Sequence, residues 1–286
     1  MLPSGNTLLD LYRFADLKWA ATAHDESEKT AMKRLLAEDL FGCSGADFLF
    51  PEEKRFSESE ILQWMNAVKR IANHEPLQYV TGKASFFGLL LDVNPSVLIP
   101  RPETEELVLM ALDNLPASEI HVLDCCTGSG CIALALKSKR AGWNVSAMDI
   151  SETALHTAKQ NAEKLNLAID FFQSDVLAEN PLPDLKWDLI ISNPPYVAIA
   201  EKASMERHVL AHEPHLALFV EDEDPLIFYR RLAGLASKHL NPGGKMMLEL
   251  NPLFAHETAA VFLTYGLHPT LYNDMQGKER MLLVSI

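Results

Sequence analysis

The stretch Asn193–Tyr196, with the sequence Asn-Pro-Pro-Tyr, contains the side chains best suited to chemistry. It follows the apolar run Trp187–Ser192, which places it at the end of a predicted buried strand, where α/β enzymes carry their sites. The prolines donate no N–H and fix φ at about −65°, so the turn is stiff and rich in acceptors. The Asn193 side-chain oxygen and the Pro194 carbonyl can together accept both N–H bonds of a planar NH2 group, while the Tyr196 ring offers a face for stacking. These residues predict a site for an amide or an aromatic amine.

A second pattern predicts a nucleotide-binding corner. Ile120–Asp124 has the pattern of a buried parallel strand, the glycine-containing turn Cys125–Cys131 follows it, and Ile132–Leu136 begins a helical pattern. The next predicted strand, Asn144–Met148, leads directly to Asp149. A carboxylate at this place can accept hydrogen bonds from the two hydroxyls of an unphosphorylated ribose.

A third predicted strand, over residues 169–172, leads to Asp175, whose carboxylate can accept a hydrogen bond from an adenine amino group. Taken singly, each feature also has a structural interpretation: a tight strand-to-helix connection, a helix N-cap or a simple turn. Together the features lie in strand order, each at the carboxyl end of a strand in a predicted open sheet. That order favours one binding site over a set of unrelated turns.

With these motifs, the chain resembles the PrmC/HemK family of class I S-adenosylmethionine-dependent methyltransferases, which methylate the glutamine side-chain nitrogen of peptide chain release factors. The resemblance covers most of the chain and is weaker over the N-terminal part. The further segments that carry it are Glu75–Gly82, Phe86–Gly88, Val97–Glu105, Glu213–Pro214, Ala217–Leu218 and Asp224–Arg230.

The resemblance implies a substrate, a cofactor and a set of site residues. The substrate is the glutamine of a Gly-Gly-Gln motif in a release factor; S-adenosylmethionine is the cofactor, S-adenosylhomocysteine is the product, and no metal is required. Catalytic roles fall to Asn193, Pro194 and Tyr196, and Pro195 joins them in binding substrate. The implied cofactor-binding residues are Asp124, Cys126, Thr127, Gly128, Ser129, Gly130, Asp149, Asp175, Val176 and Asn193.

Two positions depart from the family pattern. Cys126 stands where the family usually has Gly, so that the backbone there needs a negative φ or carries strain. Asn251 and the residues after it replace a Gly and a Gln that often follow the strand ending at Leu250. We expect cofactor binding to survive the first change.

The predicted fold is an α/β class I (Rossmann-like) methyltransferase domain with a seven-stranded mixed sheet. Residues 1–80 are predicted to form a small helical bundle, and residues 81–100 a β-hairpin linker whose turn is Asn94–Pro95. We expect the bundle to dock the release factor. Residues 101–286 form the methyltransferase domain. Its strands are predicted near 120, 145, 170, 189, 246, 270 and 282, with a helix over Thr104–Leu115 and a turn at Pro242–Gly244 before a buried strand. In the bundle, Ser57 and Glu60 predict a capping box at a helix start.

Composition limits the classes of function. The 286 residues carry a formal charge of −14, which disfavours binding along a phosphate backbone and favours a basic partner surface. The sequence shows neither a membrane span nor the pattern of a signal peptide, so we expect a cytoplasmic protein. We also expect a monomer. The cysteines form no disulfide or zinc pattern and are interpreted as reduced packing residues. A metal site at His208 and His212 is disfavoured because Pro214 interrupts the helix that it would need.

Two other functions stay open at this level. Methyltransferases that act on an exocyclic amine of adenine or cytosine in nucleic acid use a similar turn on an NH2 group, and the motif alone does not distinguish them. A noncatalytic S-adenosylmethionine-sensing or protein-binding module is the other. The acidic charge and the match over residues 75–105 favour the release factor as substrate.

Overall fold

The structure is a computed structural model that describes residues 2–20, 22 and 25–286; residues 1, 21, 23 and 24 of the predicted bundle lie outside the described residues. The α-helices are α1 Leu8–Trp19, α2 Glu26–Phe41, α3 Gly45–Leu49, α4 Glu58–Ala72, α5 Leu77–Thr81, α6 Pro102–Asn114, α7 Cys131–Lys139, α8 Glu152–Leu165, α9 Arg207–His212, α10 Ile227–His239 and α11 Ala255–Thr264. The strands are β1 Lys83–Phe86, β2 Leu89–Asp92, β3 His121–Cys125, β4 Asn144–Asp149, β5 Asp170–Gln173, β6 Trp187–Ser192, β7 Val197–Ala198, β8 Phe219–Val220, β9 Leu240–Glu249, β10 His268–Asn273 and β11 Glu279–Ser285. Short 3-10 helices cover Ile199–Ser204, His215–Ala217 and Pro252–Phe254.

The chain divides into two compact units. The first contains the N-terminal residues up to Lys83 together with Glu206–His212, and the second contains Ala84–Met205 and Glu213–Ile286. The boundaries predicted from the sequence, at residues 80 and 100, stay a prediction about independent domains.

The first unit is a set of helices around buried aromatic rings. Helix α4 begins where the sequence predicts it, because the Ser57 N–H donates to Glu60 Oε2 at 2.7 Å while the Ser57 hydroxyl accepts from the Glu60 N–H. Its apolar face buries Trp64 fully. The indole N–H of Trp64 donates to the Leu11 carbonyl of α1 at 3.0 Å, so the buried ring leaves no donor unpaired.

The predicted hairpin is present, but its turn lies elsewhere. Strands β1 and β2 pair across Phe87–Gly88, where both residues have positive φ, 50° and 80°. Asn94–Pro95 lies after β2, where the Val97 N–H donates to the Asn94 carbonyl at 3.1 Å in a separate turn. The position predicted for the hairpin turn was therefore wrong. The residues on both sides of Gly88 are apolar, so the sequence there lacks the polar residues that usually mark a turn.

The second unit is built on a seven-stranded sheet with the order β10-β11-β9-β6-β3-β4-β5. Strands β5, β4, β3, β6 and β9 pair in parallel, and β11 runs antiparallel to both β9 and β10. This is the predicted class I methyltransferase fold with a mixed sheet. The order reverses at β3, since β4 lies on one side of it and β6 on the other, which places a binding crevice at the carboxyl ends of β3 and β6.

Alternate residues of the sheet pack into separate cores on its two faces. Val122 and Leu189 belong to the core that includes α6 and α7, whereas their neighbours Leu123 and Ile190 belong to the core that includes α10 and α11. Because both faces are covered, most residues of the central strands are apolar, and Asp124 in β3 is a buried exception. The polar residues that follow them therefore stand out in the sequence.

Strand β9 begins earlier than the sequence predicts. Pro242–Gly244 is a bulge inside the strand rather than a turn before it, since Trp187 pairs with Leu240 and Leu189 already pairs with Lys245. A Cβ on Gly244 would lie 2.9 Å from the Asn241 carbonyl oxygen. Glycine is thus required by close backbone approach, which sequence patterns do not distinguish from a turn.

Two glycine substitutions are expected to change stability in opposite directions. Gly130→Ala should lower the free energy of unfolding by roughly 1–3 kcal/mol, because φ is +83° and the new Cβ would meet Leu134 Cδ1 at 3.1 Å and Ala158 Cβ at 3.2 Å. Gly234→Ala, inside α10, should raise it by about 0.5–1 kcal/mol, since its Cβ would make an ordinary 3.6 Å contact with Tyr265. Urea unfolding of both variants tests this, and a stabilised Gly130→Ala would contradict the packing described for the turn.

Candidate active site

A cavity of about 300 Å³ lies at the carboxyl ends of the central strands, and its lining residues belong to the second unit. Most of the predicted site residues contribute to its wall: Cys126, Thr127, Gly128, Ser129, Asp149, Asp175, Val176, Asn193 and Pro195. The other predicted site residues, Asp124, Gly130, Pro194 and Tyr196, do not line it. The structure thus brings the two predicted motifs together around one cavity.

Three alternate residues of the glycine turn after β3 have a positive φ. Gly128 and Gly130 have φ of 56° and 83°, and Gly130 is the N-cap of α7. Cys126 has φ of 59°, so the strained alternative expected at this departure from the family pattern is the one adopted. A residue with a β-carbon in this conformation costs roughly 1–2 kcal/mol. The Thr127 N–H donates to the Met148 carbonyl at 3.0 Å and so fixes the turn to β4.

Asp149 connects the glycine turn to the next helix. Its Oδ2 accepts from the Gly128 N–H at 2.9 Å, and its Oδ1 accepts from the Ser151 N–H at 2.9 Å. Burial raises the pKa of Asp149, and these backbone hydrogen bonds oppose the shift. Each oxygen keeps acceptor capacity for a further donor, which suits the vicinal hydroxyls of a ribose.

Asp124 is a fully buried carboxylate beneath the same turn. Its Oδ2 accepts from the Thr127 hydroxyl at 2.6 Å and from the Ala133 N–H at 3.2 Å, whereas its Oδ1 has no hydrogen-bond partner among the described residues. Burial raises the pKa of Asp124 to about 7, which the two hydrogen bonds only partly oppose. An acceptor of this kind favours a positively charged ligand nearby.

Asp175 and Val176 close the far side of the cavity, after β5. The Asp175 Oδ1 accepts from the Leu177 N–H at 2.8 Å, which folds the loop so that both residues line the cavity. Val176 is buried in the core that includes α10, and it contributes an apolar surface beside the carboxylate. This pairing of an apolar wall with an acceptor suits a purine that carries an amino group.

The Asn193–Tyr196 turn is held from behind by a buried carboxylate. Glu249, at the end of β9, is 1% exposed and accepts from the Thr104 hydroxyl at 2.6 Å and from the Tyr196 hydroxyl at 2.9 Å. The Thr104 oxygen in turn accepts from Asn193 Nδ2 at 3.1 Å. Burial is the main cause that raises the pKa of Tyr196, and the negative charge of Glu249 adds to it. The Tyr196 hydroxyl therefore stays protonated and donates.

Sequence reasoning missed Thr104 and Glu249 as site residues. Thr104 lies inside a matching segment but has no chemistry of its own, and Glu249 interrupts an apolar strand. A charged residue in a strand that is otherwise buried is rare unless it is paired, and that was the available signal. The partners that pair it come from α6 and from the turn after β6, so only the fold connects them.

Two further polar residues brace the loops around the site. Asn251, at the second departure from the family pattern, donates to the Tyr196 carbonyl at 3.1 Å and to Glu201 Oε1 at 2.8 Å. Glu213 accepts from the Ile99 N–H at 3.2 Å and from Arg101 at 2.6 Å, with its own side chain fully buried. The segments that match the family thus hold each other in place.

The cysteines are free thiols. His208 and His212 both lie in the short helix α9 of the first unit. Among the described residues, no group of three or more His, Cys, Asp or Glu side chains is arranged to hold a metal ion. No helix in the described parts of the chain is long and apolar enough to cross a membrane.

The cavity wall fits S-adenosylmethionine by the chemistry of its donors and acceptors. Asp149 and Asp175 both line the cavity and offer carboxylate acceptors for hydroxyl and amino donors. The Asp124 oxygen that has no partner belongs to the carboxylate that binds the Thr127 hydroxyl. The buried carboxylates also provide negative charge for a cationic ligand. Residues Asp124, Cys126–Gly130, Asp149, Asp175, Val176 and Asn193 are therefore the set that would hold it.

Comparison with known proteins gives agreeing results. Residues 17–82 match the family model described as PrmC N-terminal domain, and residues 104–217 match the one described as Methyltransferase small domain. The chain is 36% identical, over 97% of its length and 99% of the relative, to a release factor glutamine methyltransferase of Flavobacterium psychrophilum. It is 39% identical, over 89% of its length and 92% of the relative, to the protein of that name from Bacteroides thetaiotaomicron. A methyltransferase structure from Pyrococcus furiosus aligns with a TM-score of 0.53 at 20% identity, over 77% of this chain and 96% of that one, which shows the shared fold.

The buried Asp124 is expected to make stability depend on pH. Its pKa is 3.8 when exposed and about 7 when folded, so between these values the folded state holds the extra proton and stability falls as pH rises. Asp124→Asn keeps an oxygen for Thr127 and Ala133 and removes the titration. Relative to this variant, the ligand-free wild type should lose about 3 kcal/mol between pH 4 and pH 7. Urea unfolding across this range measures the difference, with Asp113→Asn on the exposed end of α6 as the control; parallel profiles for wild type and Asp124→Asn would refute it.

Proposed function

The chain belongs to the release factor glutamine methyltransferase family, and we propose that it transfers a methyl group from S-adenosylmethionine to the side-chain nitrogen of the glutamine in the Gly-Gly-Gln motif of a release factor. The observation that carries the chemical part is the Asn193 amide at the cavity wall. Its NH2 group is engaged by Thr104 at 3.1 Å, so its oxygen is left to accept from a substrate N–H.

S-adenosylmethionine would supply a methyl group on a positively charged sulfur: an attacking nitrogen would form the new N–C bond as the C–S bond breaks, and the neutral thioether S-adenosylhomocysteine would leave. A carboxamide nitrogen is a poor nucleophile because its lone pair is delocalised into the carbonyl. Asn193 Oδ1 and the Pro194 carbonyl accept the two N–H bonds of the substrate amide, which raises the electron density on nitrogen and fixes its lone pair toward the methyl group. Orientation of this kind can lower a barrier by roughly 7–11 kcal/mol, so no strong base is required.

Tyr196 and the prolines stiffen the turn that carries Asn193. Pro194 and Pro195 are buried, and the Tyr196 hydroxyl is bound to Glu249, so the turn cannot relax when the substrate enters. A rigid acceptor pair loses little entropy on binding an amide. The proton leaves the methylated nitrogen after transfer and reaches solvent.

The release factor is proposed to dock on the first unit. The cavity is lined by residues of the second unit, so the helical unit is left for another role. It exposes large apolar side chains at Leu17, Leu49 and Leu62, with 66%, 75% and 62% of their surface accessible. Residues 17–82 of this unit match the family model described as PrmC N-terminal domain. Direct nucleic-acid binding is not part of the proposal, in view of the net charge of −14, and the protein is proposed to act as a cytoplasmic monomer.

Labelled S-adenosylmethionine and an intact release factor test the function. The label should appear on the Gln side chain of Gly-Gly-Gln by mass spectrometry, and it should persist in the presence of a metal chelator because the sulfonium is already an activated methyl donor. Asn193→Ala should lose most of the label, and Asn193→Asp should retain more than Ala, since it keeps an acceptor oxygen. Label on nucleic acid instead, or cofactor binding with no methyl transfer to the release factor, would reject the proposal.

Asp149 is expected to contribute to cofactor affinity. Asp149→Ala removes a charged acceptor for the ribose, and hydrogen bonds to charged groups contribute about 1.5–3 kcal/mol, so the dissociation constant should rise at least tenfold. Isothermal titration calorimetry measures it, with Asp113→Ala as a matched loss of a carboxylate that does not line the cavity. Equal affinities for the two variants would show that Asp149 only anchors the turn.

A further inference from the structure

Glu249 determines the direction of a chain of hydrogen bonds that ends at the substrate pocket. An ionised carboxylate only accepts, so the hydroxyls of Thr104 and Tyr196 both donate to it, at 2.6 and 2.9 Å. Burial, with the charge of Glu103, raises the pKa of Glu249, and the hydrogen bonds from Thr104 and Tyr196 together with the positive charge of Arg280 oppose that shift only in part. The backbone of Glu249 is held as well, since its carbonyl accepts from the Tyr229 hydroxyl at 3.2 Å.

This direction fixes the amide of Asn193. A threonine hydroxyl has a single hydrogen, and that of Thr104 is engaged by Glu249. Toward Asn193 the Thr104 oxygen can therefore only accept, so the nitrogen of the amide faces Thr104, at 3.1 Å, and its oxygen faces away. If the Asn193 amide were flipped, its oxygen would face the Thr104 oxygen, and neither atom would have a hydrogen to donate to the other. The orientation of the Asn193 amide thus follows from the single hydrogen of the Thr104 hydroxyl, which is already donated to Glu249.

We propose that Glu249, acting through Thr104, is the positioning residue that makes Asn193 present its oxygen to the substrate and thereby makes the site prefer a carboxamide to a carboxylate. The proposal rests on the proposed function, since it concerns how a glutamine is told from a glutamate at the same place. A glutamine NH2 group donates to Asn193 Oδ1. A glutamate carboxylate only accepts, so it would meet that oxygen with repulsion.

The same carboxylate also holds the other end of the turn. Its second oxygen binds the Tyr196 hydroxyl, so Asn193 and Tyr196 are positioned by one buried group. Neither Thr104 nor Glu249 needs to contact the reacting atoms. Loss of the relay should therefore affect which side chain the pocket accepts more than whether the cofactor binds.

The experiment compares Thr104→Val, which keeps the shape without the hydroxyl, with Thr104→Ser, which keeps the hydroxyl. Each full-length enzyme is assayed at saturating S-adenosylmethionine with the intact release factor, and a release factor carrying Glu in place of the motif Gln serves as competitive inhibitor. In Thr104→Val, turnover should fall roughly 10–100-fold and the Glu competitor should bind about tenfold more tightly relative to the Gln substrate. Thr104→Ser should restore the wild-type preference for Gln over Glu, because it keeps the hydroxyl that donates to Glu249. A purely structural role would lower turnover without changing this ratio.

Glu249→Gln tests the relay from its other end without changing volume at Thr104. When its NH2 group faces Thr104, the threonine hydroxyl is released to donate to Asn193, which stabilises the flipped amide. The Glu competitor should gain affinity in this variant too, and this keeps the test decisive where Thr104→Val fails to bind cofactor. An unchanged preference for Gln over Glu in the folded variants would overturn the inference while wild-type labelling stands. Absence of labelling by the wild type would instead overturn the proposed function and the inference together.

Discussion

The parallel pairing of β3 with β6 places Cys125 opposite Ser192, and the Ser192 hydroxyl donates to the Cys125 carbonyl at 2.6 Å. The strand order reverses here, so the chain leaves β3 toward one side of the sheet and β6 toward the other. The loops diverge and leave a crevice between them. The glycine turn and the Asn193–Tyr196 turn both begin at this pair. A slip of one residue would turn every side chain of either strand to the opposite face, so the site depends on this register.

Buried carboxylates surround the crevice in a chain whose formal charge is already −14. Burial raises the pKa of Asp124, Asp149 and Glu249, which means that each is less stable in its charged form than it would be in water. A cationic ligand offsets that cost more than a neutral one does. S-adenosylmethionine carries a positive charge on sulfur and its product does not, so we expect these carboxylates to favour the donor over the product.

The Asn193–Tyr196 turn is held by buried polar side chains that are themselves hydrogen-bonded. Glu249 accepts hydrogen bonds from the hydroxyls of Thr104 and Tyr196. The side chain of Asn251 donates both to the Tyr196 carbonyl and to the Glu201 carboxylate. A buried polar network of this kind is stable only when nearly all its members are paired, and then it specifies one arrangement. Asn251 also explains how the chain tolerates its departure from the family pattern, since the residue fills a bracing role of its own.

The sequence by itself determined the seven strands of the large sheet, the two turns and the residues that follow those strands, because apolar runs and glycine or proline turns are local signals. Asp149, Asp175 and Asn193 could be assigned to one site from chain order alone, since parallel strands end at the same edge of a sheet. The hairpin turn at Phe87–Gly88 and the bulge in β9 could not, because an apolar turn and a bulge share the composition of their neighbours. Only the tertiary structure decided which way the Asn193 amide faces: Thr104 and Glu249 lie far from it in the chain, and a hydrogen-bond direction is set by whichever partners the fold brings into contact.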